Sequence, residues 1–182
     1  MVTTIPGREC GECTVCCEVT RIKTEQLVKP TGVLCPHCDR SSGCTVYETR
    51  PDICRGYQCS WRVLENIPMS WQPLQCGFLV DIETRPSPTL YIVALREPQA
   101  LEREDLAEFV GGWVDAGYSV YFSTMGGPGM LRSLLDVTNT LRPPVAAGDL
   151  VGVYAAIRNE FEYLKRYHLW EKDPLCLQTK LR

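Results

Sequence analysis

The pattern of apolar and polar positions changes character at Gly77. Beyond it, Phe78, Val80 and Ile82 alternate with Leu79, Asp81 and Glu83, and a second apolar run covers Thr89 to Leu95 after Arg85-Pro86-Ser87-Pro88. The alternation and the intervening turn predict a hairpin. Leu106, Phe109, Val110 and Trp113 then fall at helical spacing and Gly117 is placed to end that helix, although Gly111 and Gly112 weaken it by about 1 kcal/mol each. A third strand is expected over Tyr118 to Ser123, and Met130 to Val137 reads as helical. Asp149 is placed to cap a last helix in which Leu150, Val153, Tyr154, Ile157, Phe161 and Leu164 form one apolar stripe. His168 continues that stripe and reads as a packed or capping histidine.

Before Gly77 regular periods are scarce. Thr24 to Lys29 reads as a short helix capped by Thr24 and stopped at Pro30. The whole order predicts an α+β protein: an irregular cysteine-rich module over 1–76, packed at the side of a small antiparallel sheet with helices on one face over 77–182.

Composition narrows the function classes. With 182 residues, 45% hydrophobic and 23% charged, the chain has the make-up of a globular protein with one ordinary core and a small attached module. The formal net charge is -3 with both signs interspersed, which lacks the basic footprint needed to neutralise phosphates, so no nucleic-acid partner is expected. No run approaches the roughly 20 apolar residues of a membrane span. The first residues show no charged start followed by an apolar stretch, so a cytoplasmic, reducing location is expected.

Eleven cysteines supply the candidate chemistry, and ten of them fall between Cys10 and Cys76. Cys10, Cys13, Cys16 and Cys17 form a C-x2-C-x2-C-C run; Cys35, Cys38 and Cys44 follow; Cys54 and Cys59 come next, and Cys76 trails. Two residues between cysteines suit a metal knuckle, because the tight turn aims both sulfurs at one point while backbone N–H groups bond to them. Side chains of adjacent residues usually diverge, so Cys16 and Cys17 are expected to reach different centres, or different irons of one cluster. Two sites, or one polynuclear site, are therefore favoured over a single finger. A disulfide framework is the competing reading for a cysteine-rich chain. The reducing location, the odd cysteine total and the core-forming remainder oppose it. Cys176 lies in a polar tail and reads as a free thiol.

The run Cys10 to Cys17, then Cys35, then Cys44-Thr-Val-Tyr47-Glu-Thr-Arg50-Pro51-Asp-Ile-Cys54-Arg55-Gly-Tyr57-Gln-Cys59 resembles the CxxCxxCC cysteine-cluster family. That family is described as zinc- or iron-chelating and includes the flagellin lysine N-methylases. The resemblance covers about residues 7 to 62 and implies Cys10, Cys13, Cys16, Cys17, Cys35, Cys44, Cys54 and Cys59 as ligands. Cys38 departs from the family pattern and is either an extra ligand or a spectator thiol.

Eight thiolates would satisfy two zinc ions with four each, as in closed structural sites. Iron–sulfur is the other candidate, since Cys10-x2-Cys13-x2-Cys16 matches three ligands of a ferredoxin-type pattern that takes a remote fourth cysteine. The methylases of the resembling family are thought to use such a cluster with S-adenosylmethionine. Clustered thiolates call for nearby cations, and Arg50 and Arg55 flank Cys54. Pro51 suits the first turn of a short helix carrying Cys54, with Gly56 ending it before Cys59. His37 sits inside the second knuckle and reads as a solvent-facing turn residue. Thr124-Met-Gly126-Gly127-Pro128-Gly129 lacks the lysine of a P-loop and the spacing of a dinucleotide fingerprint, and reads as a turn. With two histidines in all, a triad hydrolase has little to work with.

Three functions remain. One is a cytoplasmic metal-binding protein with mainly structural thiolate sites and an accessory or interaction role. The second is an iron–sulfur enzyme similar to the flagellin lysine N-methylases. The third is storage or delivery of a metal ion to a client protein. The first is preferred, because the chain shows no further substrate site.

Overall fold

The computed structural model describes residues 3–95, 101, 103–125, 127–167 and 171–174. The fold is α+β, and the chain divides into two compact units. Of the described residues, those within 3–76, 125–132 and 171–174 form the first, and those within 77–124 and 133–167 form the second.

In the first unit, α1 (Val15–Val19) is followed by two minimal ribbons, β1 (Ile22–Lys23) with β2 (Val28–Lys29) and β3 (Cys38–Asp39) with β4 (Gly43–Cys44), both antiparallel. Three one-turn α-helices follow, α2 (Asp52–Gly56), α3 (Ser60–Val63) and α4 (Pro73–Cys76), with 3-10 turns at Tyr47–Thr49 and Met69–Trp71. The helix expected over residues 24–29 is replaced by the β1–β2 ribbon. Six residues cannot hold an isolated helix, and Thr24 closes a turn instead: its backbone N–H and its hydroxyl donate to the Leu27 carbonyl, and its hydroxyl accepts the Leu27 N–H. The ribbon buries Ile22, Leu27 and Lys29.

Charged side chains hold this unit together. Arg8 is buried, and its guanidinium donates to the carbonyls of Trp61 (2.6 Å), Leu64 (2.8 Å) and Ile67 (2.8 Å). The Arg62 Nε returns a bond to the Arg8 carbonyl at 2.9 Å. The Lys29 ammonium donates to the carbonyls of Glu18, Pro30 and Val33, the condition under which a charge is tolerated in an interior. Asp173, fully buried, accepts from Arg21 Nε at 3.0 Å and from the Thr31 backbone N–H at 2.9 Å. The glycine loop spends its backbone groups on the same unit: the Gly129 N–H donates to Thr31, and its carbonyl accepts from Asp173. Gly127 and Gly129 stand in a turn that the Met130 N–H closes on the Gly127 carbonyl.

The second unit is a four-stranded sheet with three helices. β5 (Phe78–Glu83) and β6 (Thr89–Ala94) form the expected hairpin, α5 (Glu104–Asp115) follows, and β7 (Ser119–Thr124) lies beside β6. That last pairing is parallel, so the sheet is mixed and not wholly antiparallel. A parallel neighbour needs a long crossover, and the stretch containing α5 supplies it. β8 (Leu135–Asp136) pairs antiparallel with β7, where a helix over 130–137 was expected. The Ser133 hydroxyl, bonded to Thr124 Oγ1 at 2.6 Å and to the Thr124 N–H at 2.7 Å, draws the chain into the sheet edge.

α6 (Thr138–Ala146) and α7 (Leu150–Tyr167) complete the unit. Asp149 caps α7 through the Gly152 N–H at 2.9 Å. Val153, Ile157, Phe161 and Leu164 of its stripe are buried, whereas Leu150 at the helix start is exposed. Phe161 stacks on Phe122 with centroids 4.3 Å apart. His168 and Cys176 lie outside the described residues.

Candidate metal centre

Four short elements bring the cysteines together. The Cys13 N–H bonds to the Cys10 carbonyl at 2.8 Å, closing the first knuckle, and α1 carries Cys16 and Cys17. The Cys35 N–H bonds to the Cys17 carbonyl at 3.1 Å and the Cys38 N–H to the Cys35 carbonyl at 3.0 Å, which fixes the second knuckle against α1. Cys44 lies directly opposite Cys38 in the β3–β4 ribbon. α2 presents Cys54 and ends at Gly56, as its sequence predicts, and Cys59 caps the start of α3.

The result is one cavity of about 200 Å³ whose lining includes Cys10, Cys13, Cys16, Cys17, Cys35, Cys38, Cys44, Cys54 and Cys59. All nine candidate ligands reach it. Cys76 is buried elsewhere, its thiol donating to the Trp71 carbonyl at 3.4 Å. None of the described cysteines is joined in a disulfide. The sulfurs of Cys16 and Cys17 lie 3.9 Å apart, so these adjacent side chains stay together more closely than expected. Among the described residues, no group of three or more Cys, His, Asp or Glu side chains is arranged to hold a metal ion. The thiols surround a space without closing on one point.

The electrostatics follow from crowding thiols in a half-buried space. Burial pushes the Cys59 thiol up to about 11, although the N–H groups of Trp61 and Arg62 bond to its sulfur and pull the other way. Burial likewise raises Cys13, against N–H groups from Val15 and Leu74. Such N–H···S bonds are the backbone support that a metal knuckle uses. A hydrogen bond from Cys16 outweighs burial at Cys17 and, with a second from Cys38 and the charges of Lys29 and Arg50, holds that thiol down at about 6. The same contact, then burial, raises Cys16. Burial and then the neighbouring thiols raise Cys38 and Cys54.

Of the two arginines singled out by sequence, Arg50 lines the cavity, whereas Arg55 is exposed and pairs with Asp52. Burial works against the Arg50 charge, but Tyr47, Cys10 and Cys44 outweigh it. Its guanidinium lies 4.0 Å above the Tyr47 ring, and Arg62 Nη1 donates to the Tyr47 hydroxyl at 2.8 Å. His37 is partly buried on the cavity wall and is not the solvent-facing residue expected. Lys29, Tyr47 and Arg62 escaped the sequence reading, because no spacing rule marks a cation or phenol that stands beside a thiol only after folding.

No protein-family model, curated protein or solved structure matches the chain. Among the described residues, no helix is long and apolar enough to cross a membrane.

Proposed function

We propose that this protein binds metal through the thiolates of its first unit, in mainly structural sites, and serves an accessory or interaction role. One observation carries the reading: nine thiols from three separated stretches of sequence line a single cavity and none is spent on a disulfide. Inert thiols would be expected as isolated core residues, not as the walls of a shared space. The N–H···S bonds at Cys13 and Cys59 and the cations Lys29 and Arg50 support it further, since a divalent ion in four thiolates leaves two excess negative charges. Binding requires the sulfurs to move inward onto the ion, and it would contribute on the order of 10 kcal/mol per site to folding. The unjoined thiols favour a reducing, cytoplasmic setting.

The ion is zinc or iron, and a structural role favours zinc, which closed four-thiolate sites hold. An iron–sulfur centre of the kind associated with the flagellin lysine N-methylases is the second reading, favoured by Cys59 standing beside the Cys10-x2-Cys13-x2-Cys16 run as a remote fourth thiol. Anaerobic purification with elemental analysis and a visible spectrum separates them. Colourless protein with two zinc ions per chain is expected. Brown protein carrying sulfide, bleached by air, would establish the second reading, and protein with neither metal would overturn both.

A further inference from the structure

Resting on the thiolate reading above, we propose that the cavity holds two neighbouring metal sites. Cys10, Cys13, Cys16 and Cys59 surround the first ion; Cys17, Cys35, Cys54 and one member of the Cys38–Cys44 pair surround the second.

The partition follows the scaffolds that carry the thiols. Cys10 and Cys59 are far apart in sequence, yet their segments are stitched together by the Ile5 N–H on the Arg62 carbonyl (2.8 Å), by Arg62 Nε on the Arg8 carbonyl, and by the Arg8 guanidinium on Trp61 and Leu64. The first knuckle and the start of α3 therefore form one frame. A second frame, which meets the first where Gly43 lies against the Gly11 carbonyl, carries the others. Cys35 is bonded to the Cys17 carbonyl, and Cys17, Cys38 and Cys54 pack with it against Ile22 and Leu27. Gln26 ties α2 into the same frame, its amide accepting the Asp52 N–H at 2.9 Å and donating to the Asp52 carboxylate at 3.3 Å. No first-frame cysteine joins that cluster.

The border runs between two consecutive residues. Cys16 and Cys17 differ by about 100° around α1, so one faces each frame while the sulfurs stay 3.9 Å apart. That spacing fits ligands of one tetrahedral ion or of two adjacent ions, and the frames decide for two. Cys38 and Cys44 are cross-strand partners, so their side chains leave the ribbon on the same face. Either can supply the last position, which accounts for nine thiols around eight ligand positions.

The test uses the full chain, stripped of metal and reloaded anaerobically with zinc for native mass spectrometry, or with cadmium for cadmium NMR. Wild type is expected to take two ions and to show two cadmium resonances without cadmium–cadmium coupling. Cys59→Ser and Cys54→Ser should each keep one ion and lose different resonances. Cys38→Ser and Cys44→Ser should each keep two, and the double variant one. Coupled resonances in wild type, which need no variant to fold, would replace the partition with a bridged cluster. Loss of both ions in either Cys59→Ser or Cys54→Ser would overturn it too, as would a single iron–sulfur cluster as the sole species loaded. Wild type that takes neither metal nor cluster would instead sink the thiolate reading itself.

Discussion

Gly43 stands against the carbonyl of Gly11 so closely that it leaves no room for a β-carbon, and Gly43 itself holds a φ of 81°. The contact presses the β3–β4 ribbon, with Cys44, onto the knuckle between Cys10 and Cys13.

Gly43→Ala is therefore expected to be costly twice over. A left-handed backbone at a non-glycine residue costs about 1–3 kcal/mol, and here the clash is with backbone, which cannot rotate away. Urea unfolding of the metal-free protein should show a loss of about 2 kcal/mol or more, and zinc affinity should fall. Gly56, whose added β-carbon meets nothing within 4 Å, provides the control. Equal effects at the two glycines would refute the argument.

Arg8 is the second point of leverage. It is buried with three carbonyls on its guanidinium, so Arg8→Met leaves those acceptors without a charged donor. Hydrogen bonds to charged groups contribute about 1.5–3 kcal/mol, and a loss of about 3 kcal/mol in unfolding free energy is expected. Arg8→Lys should recover only part of it, because one ammonium cannot span carbonyls that a planar fork reaches. Full recovery by lysine would show that charge alone matters there.

What the sequence revealed and what it concealed have physical explanations. The β5–β6 hairpin was legible because one face of a strand repeats every second residue, and the cap of α7 because Asp149 immediately precedes an apolar stripe. The turns at Cys10–Cys13 and Cys35–Cys38 were legible because two intervening residues let an N–H close back on the first carbonyl. The β1–β2 ribbon was not, since Lys29 is buried by three carbonyls that come from folding. α6 was hidden by Pro143 and Pro144 inside it. Their missing donors free the carbonyls of Asn139 and Thr140, which lie on exposed residues where water can satisfy them. The parallel β6–β7 pairing depends on where α5 carries the chain, and no local period encodes that.

Proton release offers a test that depends on the thiols and not on the identity of any partner. Cys59 is held up to about 11 by burial, and Cys13, Cys16, Cys38 and Cys54 are raised as well. At neutral pH these sulfurs carry protons that a metal must displace. Adding zinc to metal-free protein in weak buffer at pH 7 should release more than two protons per ion, and affinity should weaken as pH falls. In the absence of metal the sign reverses. A thiol raised from 9.0 to about 11 adds stability that is complete below 9 and lost as pH rises through 11. Cys17, lowered from 9.0 to about 6, adds stability that is complete above 9 and lost as pH falls through 6. The metal-free melting temperature of Cys59→Ala should decline less than that of wild type between pH 9 and 11. Parallel declines would show that Cys59 is not raised.

Phe161→Ala separates the core of the second unit from the chemistry of the first. The Phe161 ring lies on Phe122 at an interplanar angle of 10°, and both are almost fully buried. Truncation removes the stack and leaves a cavity, at a cost of about 3–5 kcal/mol. Hydrogen exchange should quicken in α7 and β7, where the ring and its partner sit, while residues 8–62 keep their protection and the folded protein keeps its metal content. Each unit has its own internal contacts, and the residues that line the cavity all belong to the first. Equal loosening of 8–62, or loss of metal at full folding, would show that the thiolate frames depend on that core after all.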